Sequence, residues 1–317
     1  MVTVHMAVYN TPAELLRESI GSILRQTLRD FEFLIVDDGS SEPETVAELE
    51  RQAASDDRIR LEKSPHVGVT RMLNLGLAKA SRELIARQDA DDWSDPERLE
   101  RQTDFLRGHP AMALCGSNAW SHRHDGAPLW KTQLPEAARE VDAAFWRQNP
   151  FVHGSTMFRA AAARKLGGYR DDFPCAPDYD FLWRLADTGG AVNLPEPLYH
   201  YRYSKGSVSV RRAAEQARVH RASQILAMAR RLGQAPADCD PERALATAER
   251  EMQAAGGALR AALKQADHRM LAGDTWGSGR VFCELLASHA ATPLAWGKLL
   301  RWALFSSVPP VRRMCFR

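Results

Sequence analysis

The chain has 317 residues, 44% apolar and 26% charged, with a formal net charge of +2, an ordinary balance for a globular protein of one large or two smaller domains. No apolar run reaches the ~18 residues of a membrane span, the start lacks a basic-then-apolar leader pattern, and the five cysteines form no Cys-x-x-Cys pair, so reduced thiols in a cytoplasmic chain are expected. Residues 211–317 carry 17 Lys+Arg against 9 Asp+Glu, a net +8, while the rest carries 25 against 31, a net −6; the basic residues do not interleave with aromatics in a binding motif, so no nucleic acid partner is expected.

The first element is a β-branched, apolar run, Val2-Thr3-Val4-His5-Met6-Ala7-Val8, which predicts a buried strand. Tyr9-Asn10-Thr11-Pro12 is a turn, with Pro12 placed to start a helix. Leu15, Leu16, Ile20, Ile23 and Leu24 then recur with helical period. Phe31 to Val36 is a second strand and runs into Asp37-Asp38-Gly39-Ser40. A helix over 44–51, a short strand over 58–61 and a helix carrying Met72, Leu73, Leu75 and Leu77 follow.

The fourth strand, Leu84-Ile85-Ala86-Arg87, drives into Asp89-Ala90-Asp91-Asp92. Three carboxylates within four residues repel one another unless a cation or a hydrogen-bond network absorbs the charge. Asp89 and Asp91 are two apart, so at a strand end both can face the same way. That suits a hard divalent ion held by one or two carboxylates while a ligand's phosphate oxygens complete its shell. A solvated acidic turn capping the next helix is the plain alternative. An EF-hand loop is excluded, because no glycine stands at its sixth position. Alternating strands and helices predict an α/β fold with a mostly parallel sheet covered on both faces. Ligands of such sheets sit at the carboxyl ends of the strands. Tyr9-Asn10, Asp37-Asp38 and Asp89-Asp91 all fall there.

A helix over 96–107, a strand over 112–116, a polar loop or hairpin over 118–133 and a helix over 135–148 are expected next. Residues 151–158 read as extended. Gly167-Gly168 ends a helix. Asp178, after Pro177, opens another, where a carboxylate can serve as a cap.

From Val2 to about Ser209 the chain resembles the family 2 glycosyltransferases of GT-A fold. The resemblance rests on Val8-Tyr9-Asn10, Ser22-Ile23-Leu24-Arg25-Gln26-Thr27, Val36-Asp37-Asp38-Gly39-Ser40, Asp89-Ala90-Asp91-Asp92, Pro96-Glu97-Arg98-Leu99, Gly167-Gly168-Tyr169, Asp178-Tyr179-Asp180-Phe181-Leu182-Trp183-Arg184 and Tyr201-Arg202. Each piece alone is weak; their order and spacing are specific. The resemblance implies a GT-A domain over 1–210 and a helical C-terminal region over 211–317. It implies an inverting transfer of sugar from a nucleotide-sugar donor to a hydroxyl of a glycan or lipid-linked acceptor, in surface polysaccharide synthesis.

Carried over residue by residue, Ala7, Tyr9, Asn10 and Asp38 would cradle base and ribose, with Arg71 and Asn74 nearby. Asp89 would lie beside the ribose and the metal, Asp91 would bind Mg²⁺ or Mn²⁺, and Asp92 would be structural. Asp178 would be the catalytic base, with Asp180 supporting it or packing. Two places depart from the family: Pro177 stands where Glu is common, and Ser204, followed by Lys205, stands where a His is common. His153 is a further candidate on the acceptor side. A degenerate, non-catalytic nucleotide-sugar-binding subunit is the rival reading. A nucleotidyltransferase would need a glycine-rich phosphate loop where Tyr9-Asn10-Thr11-Pro12 stands.

The tail reads as helices over 212–232, 242–270, 281–286 and 293–305, with Gly256-Gly257 interrupting the second. In the last, Trp296, Leu299, Leu300, Ala303 and Leu304 share a face flanked by Lys298 and Arg301. Such a helix either packs on the body or lies on an anionic bilayer, at the inner face of the membrane.

Overall fold

The computed structural model describes residues 1–173, 175–203, 212–233 and 240–254. Among these residues nine strands form one sheet: β1 Val2–Val8, β2 Phe31–Asp37, β3 Ile59–Lys63, β4 Leu84–Asp89, β5 Trp93–Ser94, β6 Leu114–His122, β7 Pro128–Lys131, β8 Met157–Arg159 and β9 Ala191–Arg202. Their order is β3-β2-β1-β4-β8-β6-β9-β5, with β7 paired to β6. From β3 to β4 the strands are parallel. β8 is antiparallel to both β4 and β6, and β6 and β9 are again parallel.

Helices cover both faces. On one, α1 (Ala13–Leu24), α2 (Pro43–Ser55) and α4 (Arg98–Gly108) pack Leu16, Ile20, Ile23, Leu49, Leu99 and Leu106 against Val4, Met6 and Phe33. On the other, α3 (Val69–Lys79), α5 (Ala138–Phe145), α6 (Ala160–Lys165) and α7 (Pro177–Gly189) bury Leu73, Leu77, Phe145, Ala163 and Trp183 with Ile85 and Phe158. Successive strand residues point to opposite faces, so one strand feeds both cores.

Register places the site. Ala7 stands opposite Val36 on one side and Asp89 on the other, and Val8 opposite Asp37. The carboxyl ends of β1, β2 and β4 are therefore level, and the loops leaving them share one edge of the sheet.

The structure departs from expectation in three places. β9 was not anticipated, because Pro195 and Pro197 interrupt its run. Proline cannot donate to a ladder. Here the register with β6 shifts on both sides of Asn118, which absorbs the missing donors. Of the two readings of residues 118–133, loop or hairpin, the structure has the hairpin: β6 continues to His122 and pairs with β7 around a turn at Gly126. The expected extended stretch over 151–158 contains a 3-10 turn, His153–Ser155, before β8 begins. The helix expected over 135–148 is shorter, Ala138–Phe145.

Beyond the sheet, α8 (Ala213–Arg231) and α9 (Pro241–Ala254) pack on the body. Val219, Ala222, Leu226, Ala244 and Ala248 enclose Phe173 and Cys175, from the loop ahead of α7. The expected division between residues 210 and 211 lies outside the described residues, as do Ser204, Lys205, Cys239, Cys283, Cys315 and the amphipathic helix over 293–305. Among the described residues no helix is long and apolar enough to cross a membrane.

Arg98 is fully buried, and all its hydrogen-bond partners are uncharged. Its guanidinium donates to Gln102 Oε1 (3.1 Å), Gln88 Oε1 (3.1 Å), Ser94 Oγ (2.9 Å) and the carbonyls of Arg87 (2.7 Å) and Thr156 (3.3 Å). It also lies over the Tyr199 ring. One side chain thus ties the end of β4 to β5, β9 and the approach to β8; burial lowers its pKa to about 10. Replacing it with methionine strands several buried acceptors. Arg98→Met is expected to lower unfolding free energy by at least about 3 kcal/mol, measured by urea denaturation.

Candidate active site

The first two loops are bound to each other. Asn10 adopts φ +48°, a left-handed conformation that Asn tolerates. Its Oδ1 accepts the backbone N–H groups of Ser41 (2.8 Å) and Glu42 (3.1 Å), and its own N–H reaches Ser40 Oγ (3.0 Å). Asn10 therefore fixes the loop geometry. Asp38 is buried and accepts N–H bonds from Val67 (2.7 Å) and Gly68 (3.0 Å), with His66 Nδ1 at 2.9 Å. His66 stacks on the exposed Tyr9 ring, centroids 4.0 Å apart. Arg71 is exposed in the first turn of α3 beside this loop. Asn74 exchanges two 2.8 Å hydrogen bonds with the Tyr169 backbone, pinning the Gly167-Gly168 turn.

At the end of β4 the three carboxylates have separate surroundings. Asp89 Oδ1 accepts from Arg87 (2.7 Å), a guanidinium buried in the sheet. Asp92 is enclosed, taking the Arg202 N–H at 2.7 Å and the Tyr199 hydroxyl at 2.9 Å. It ties the loop to β9. Among the described residues, no other residue donates to the Asp91 carboxylate. Burial and the Asp89 charge push Asp91 up to about 6. Arg202 steadies this loop by donating to the Asp91 carbonyl (3.0 Å) and to Glu18 (2.6 Å). Among the described residues no three His, Cys, Asp or Glu side chains form a closed metal cage. Among the described residues what remains is an open pair, Asp91, whose carboxylate takes only its own backbone N–H, and Asp89 through Oδ2. That donor set fits a hard cation which takes one or two carboxylates and fills its shell with ligand oxygens.

Asp178 stands in the first turn of α7, but it caps nothing: the helix start carries no side-chain cap. Its Oδ2 accepts instead from Asn149 Nδ2 at 2.7 Å. The preceding Ala176 is held at φ +46°, a costly state for a residue with a Cβ. Asp180 is a packing residue. It is buried between Arg184 (2.7 Å) and Arg170 (3.2 Å), with Arg230 of α8 at 3.7 Å.

His153 Nε2 and the Tyr169 hydroxyl are hydrogen-bonded at 2.9 Å. The charges of Asp178 and Asp89 both act on each of them. Burial nevertheless dominates, lowering the His153 pKa and raising that of Tyr169. Gly154 lets the walls close. A Cβ there would lie 2.0 Å from Tyr199 Oη and 2.9 Å from Asp89 Oδ2.

The model of the family described as Glycosyl transferase family 2 matches residues 3–167. The chain belongs to glycosyl transferase family 2. It is 34% identical over 205 residues to the putative glycosyltransferase EpsE of Bacillus subtilis, covering 63% of this chain and 72% of EpsE. It is 28% identical over 214 residues to the amylovoran biosynthesis glycosyltransferase AmsE of Erwinia amylovora, covering 67% and 80%. Among solved structures, S. aureus TarS in complex with UDP-GlcNAc matches with a TM-score of 0.56 at 19% identity, over 71% of this chain and 66% of that one. The mannosyltransferase PcManGT from Pyrobaculum calidifontis, in complex with GDP-Man and Mn²⁺, matches with a TM-score of 0.55 at 20% identity, over 98% and 81%. The sheet and its helices are the GT-A fold.

Several residues that shape this family 2 site were not singled out from sequence: His66, Arg87, Asn149, Tyr199 and the anchoring role of Arg202. Arg87 and Tyr199 sit in strands and read as ordinary alternation. His66 and Asn149 sit in turns, where polar residues are expected. Beneath the acidic loop, His122 Nε2 and His200 Nδ1 are 3.0 Å apart, and Trp93 stacks on His200. Burial, then His122, holds His200 down to about 4. Between pH ~6.5 and ~4 the unfolded chain therefore binds a proton there that the folded chain does not. Stability from this group is present above that window and is lost as pH falls through it. His200→Gln is expected to flatten the acid-side loss of stability, read as urea midpoints between pH 4.5 and 7.5.

Proposed function

We propose that this chain is an inverting glycosyltransferase. It moves a sugar from a nucleoside-diphosphate donor to a hydroxyl of a glycan or lipid-linked acceptor, in surface polysaccharide synthesis. The observation that carries this reading is the segment around the 3-10 turn, which approaches both acidic groups: Asn149 donates to Asp178 at 2.7 Å, and a Cβ at Gly154 would lie 2.9 Å from Asp89 Oδ2. This nearness supports reading the donor-side and base-side carboxylates as parts of one site. The polymer-synthesis context is supported by AmsE and by an O-antigen biosynthesis glycosyltransferase, WbnJ of Escherichia coli, 28% identical over 205 residues.

In this reading Tyr9, His66 and the Asp38 loop receive the base and ribose, with Ala7 beneath and Arg71 alongside. Asp91, with Asp89, would hold Mg²⁺ or Mn²⁺. When bound, that ion acts as a Lewis acid toward the departing diphosphate. Asp178 takes the proton of the acceptor hydroxyl. The acceptor oxygen bonds to the anomeric carbon, the bond from that carbon to the phosphate oxygen breaks, and the nucleoside diphosphate leaves with the electron pair. A single displacement inverts the anomeric centre. The setting we propose is cytoplasmic, peripheral at the inner face of a membrane where the acceptor is lipid-linked.

Nucleoside diphosphate release measured across UDP-, GDP-, CDP- and dTDP-sugars with Mn²⁺ should single out one donor class. Asp178→Asn should lower kcat on that donor by ~10²–10⁴ while nucleoside diphosphate still raises Tm as in the wild type. Wild-type turnover by Asp178→Asn would remove the base assignment.

A further inference from the structure

Asn149 follows α5 and precedes the 3-10 turn. Its place is fixed from two sides. The Tyr179 hydroxyl donates to the Phe145 carbonyl, joining the end of α5 to the first turn of α7. The Asn193 amide donates to the Pro150 carbonyl at 3.0 Å, joining the next residue to β9. The amide orientation is fixed as well. Asn149 Oδ1 accepts the Phe151 N–H at 3.1 Å, which turns Nδ2 toward Asp178 Oδ2, 2.7 Å away. No other side chain among the described residues donates to the Asp178 carboxylate.

We propose that Asn149 is the positioning residue for Asp178. It holds one carboxylate oxygen and leaves the other to meet the acceptor hydroxyl. The assignment rests on Asp178 being the base. An amide N–H can only donate, so it favours the ionised carboxylate, the form a base requires. A carboxylate at position 149 would do the reverse. It would keep the Phe151 contact yet set a second acceptor against Asp178, and two such groups share one proton.

The test compares Asn149→Ala, Asn149→Asp and Asp178→Asn, using whichever of the UDP-, GDP-, CDP- or dTDP-sugars the wild type turns over with Mn²⁺. Losing one hydrogen bond to a charged group should lower kcat of Asn149→Ala roughly 10- to 100-fold with donor KM unchanged. The acid limb of its rate profile should move to higher pH. Asn149→Asp should move that limb further and be the slower of the two at neutral pH. It preserves the loop contact and so decides the matter where the alanine variant fails to fold. Wild-type kcat and acid limb in Asn149→Asp, with Asp178→Asn inactive, would overturn the positioning role alone. An active Asp178→Asn would overturn the base assignment, and the role of Asn149 with it.

Discussion

Three carboxylates can stand at the end of a buried strand only if the protein compensates their repulsion unevenly. Each ion taken from water costs several kcal/mol unless paired and hydrogen-bonded. Asp92 is answered by the Arg202 N–H and the Tyr199 hydroxyl, and Asp89 by Arg87. Asp91 receives no side-chain donor among the described residues, and burial and the Asp89 charge raise its pKa. The loop is thus rigid and short of positive charge at one place. A divalent ion brought by a diphosphate would supply it, so that ligand and cation would bind together.

The arrangement depends on buried guanidiniums. Arg87 lies in the sheet, Arg98 beneath the loop, and Arg202 at the end of β9. Among the described residues Arg98 makes no ion pair and instead gathers five neutral acceptors. Its contribution is geometric: it keeps the end of β4, β5 and the approach to β8 in one place. The same division recurs across the pocket. Asp180 is consumed by arginines, while among the described residues Asp178 has one side-chain donor, the Asn149 amide.

The first half of the fold was legible in the sequence, because each parallel strand from Val2 to Asp89 is a short apolar run ending in a polar turn. The level strand ends made Tyr9, Asp38 and Asp91 readable as one edge. The later strands were harder. β9 carries two prolines, which a straight ladder would reject, and only the register shift beside Asn118 accommodates them. In the site, residues whose chemistry is local could be read, such as the clustered aspartates. Tyr199 and Asn149 could not, since each matters through a partner 107 or 29 residues away, and Arg87, inside a strand, reads as ordinary alternation although its partner is Asp89. Asn74 shows the converse. Its spacing from Arg71 pointed to the donor, yet its side chain holds the Gly167-Gly168 turn.

Anomalous diffraction from crystals grown with Mn²⁺ and the preferred nucleoside diphosphate addresses the shared pocket most directly. A manganese peak is expected roughly 2.1 Å from an Asp91 carboxylate oxygen, the distance for a small octahedral cation. The diphosphate should complete its shell, and the free oxygen of Asp178 should face the same hollow. A peak away from Asp91, or a diphosphate bound with Asp178 turned out of that hollow, would contradict it.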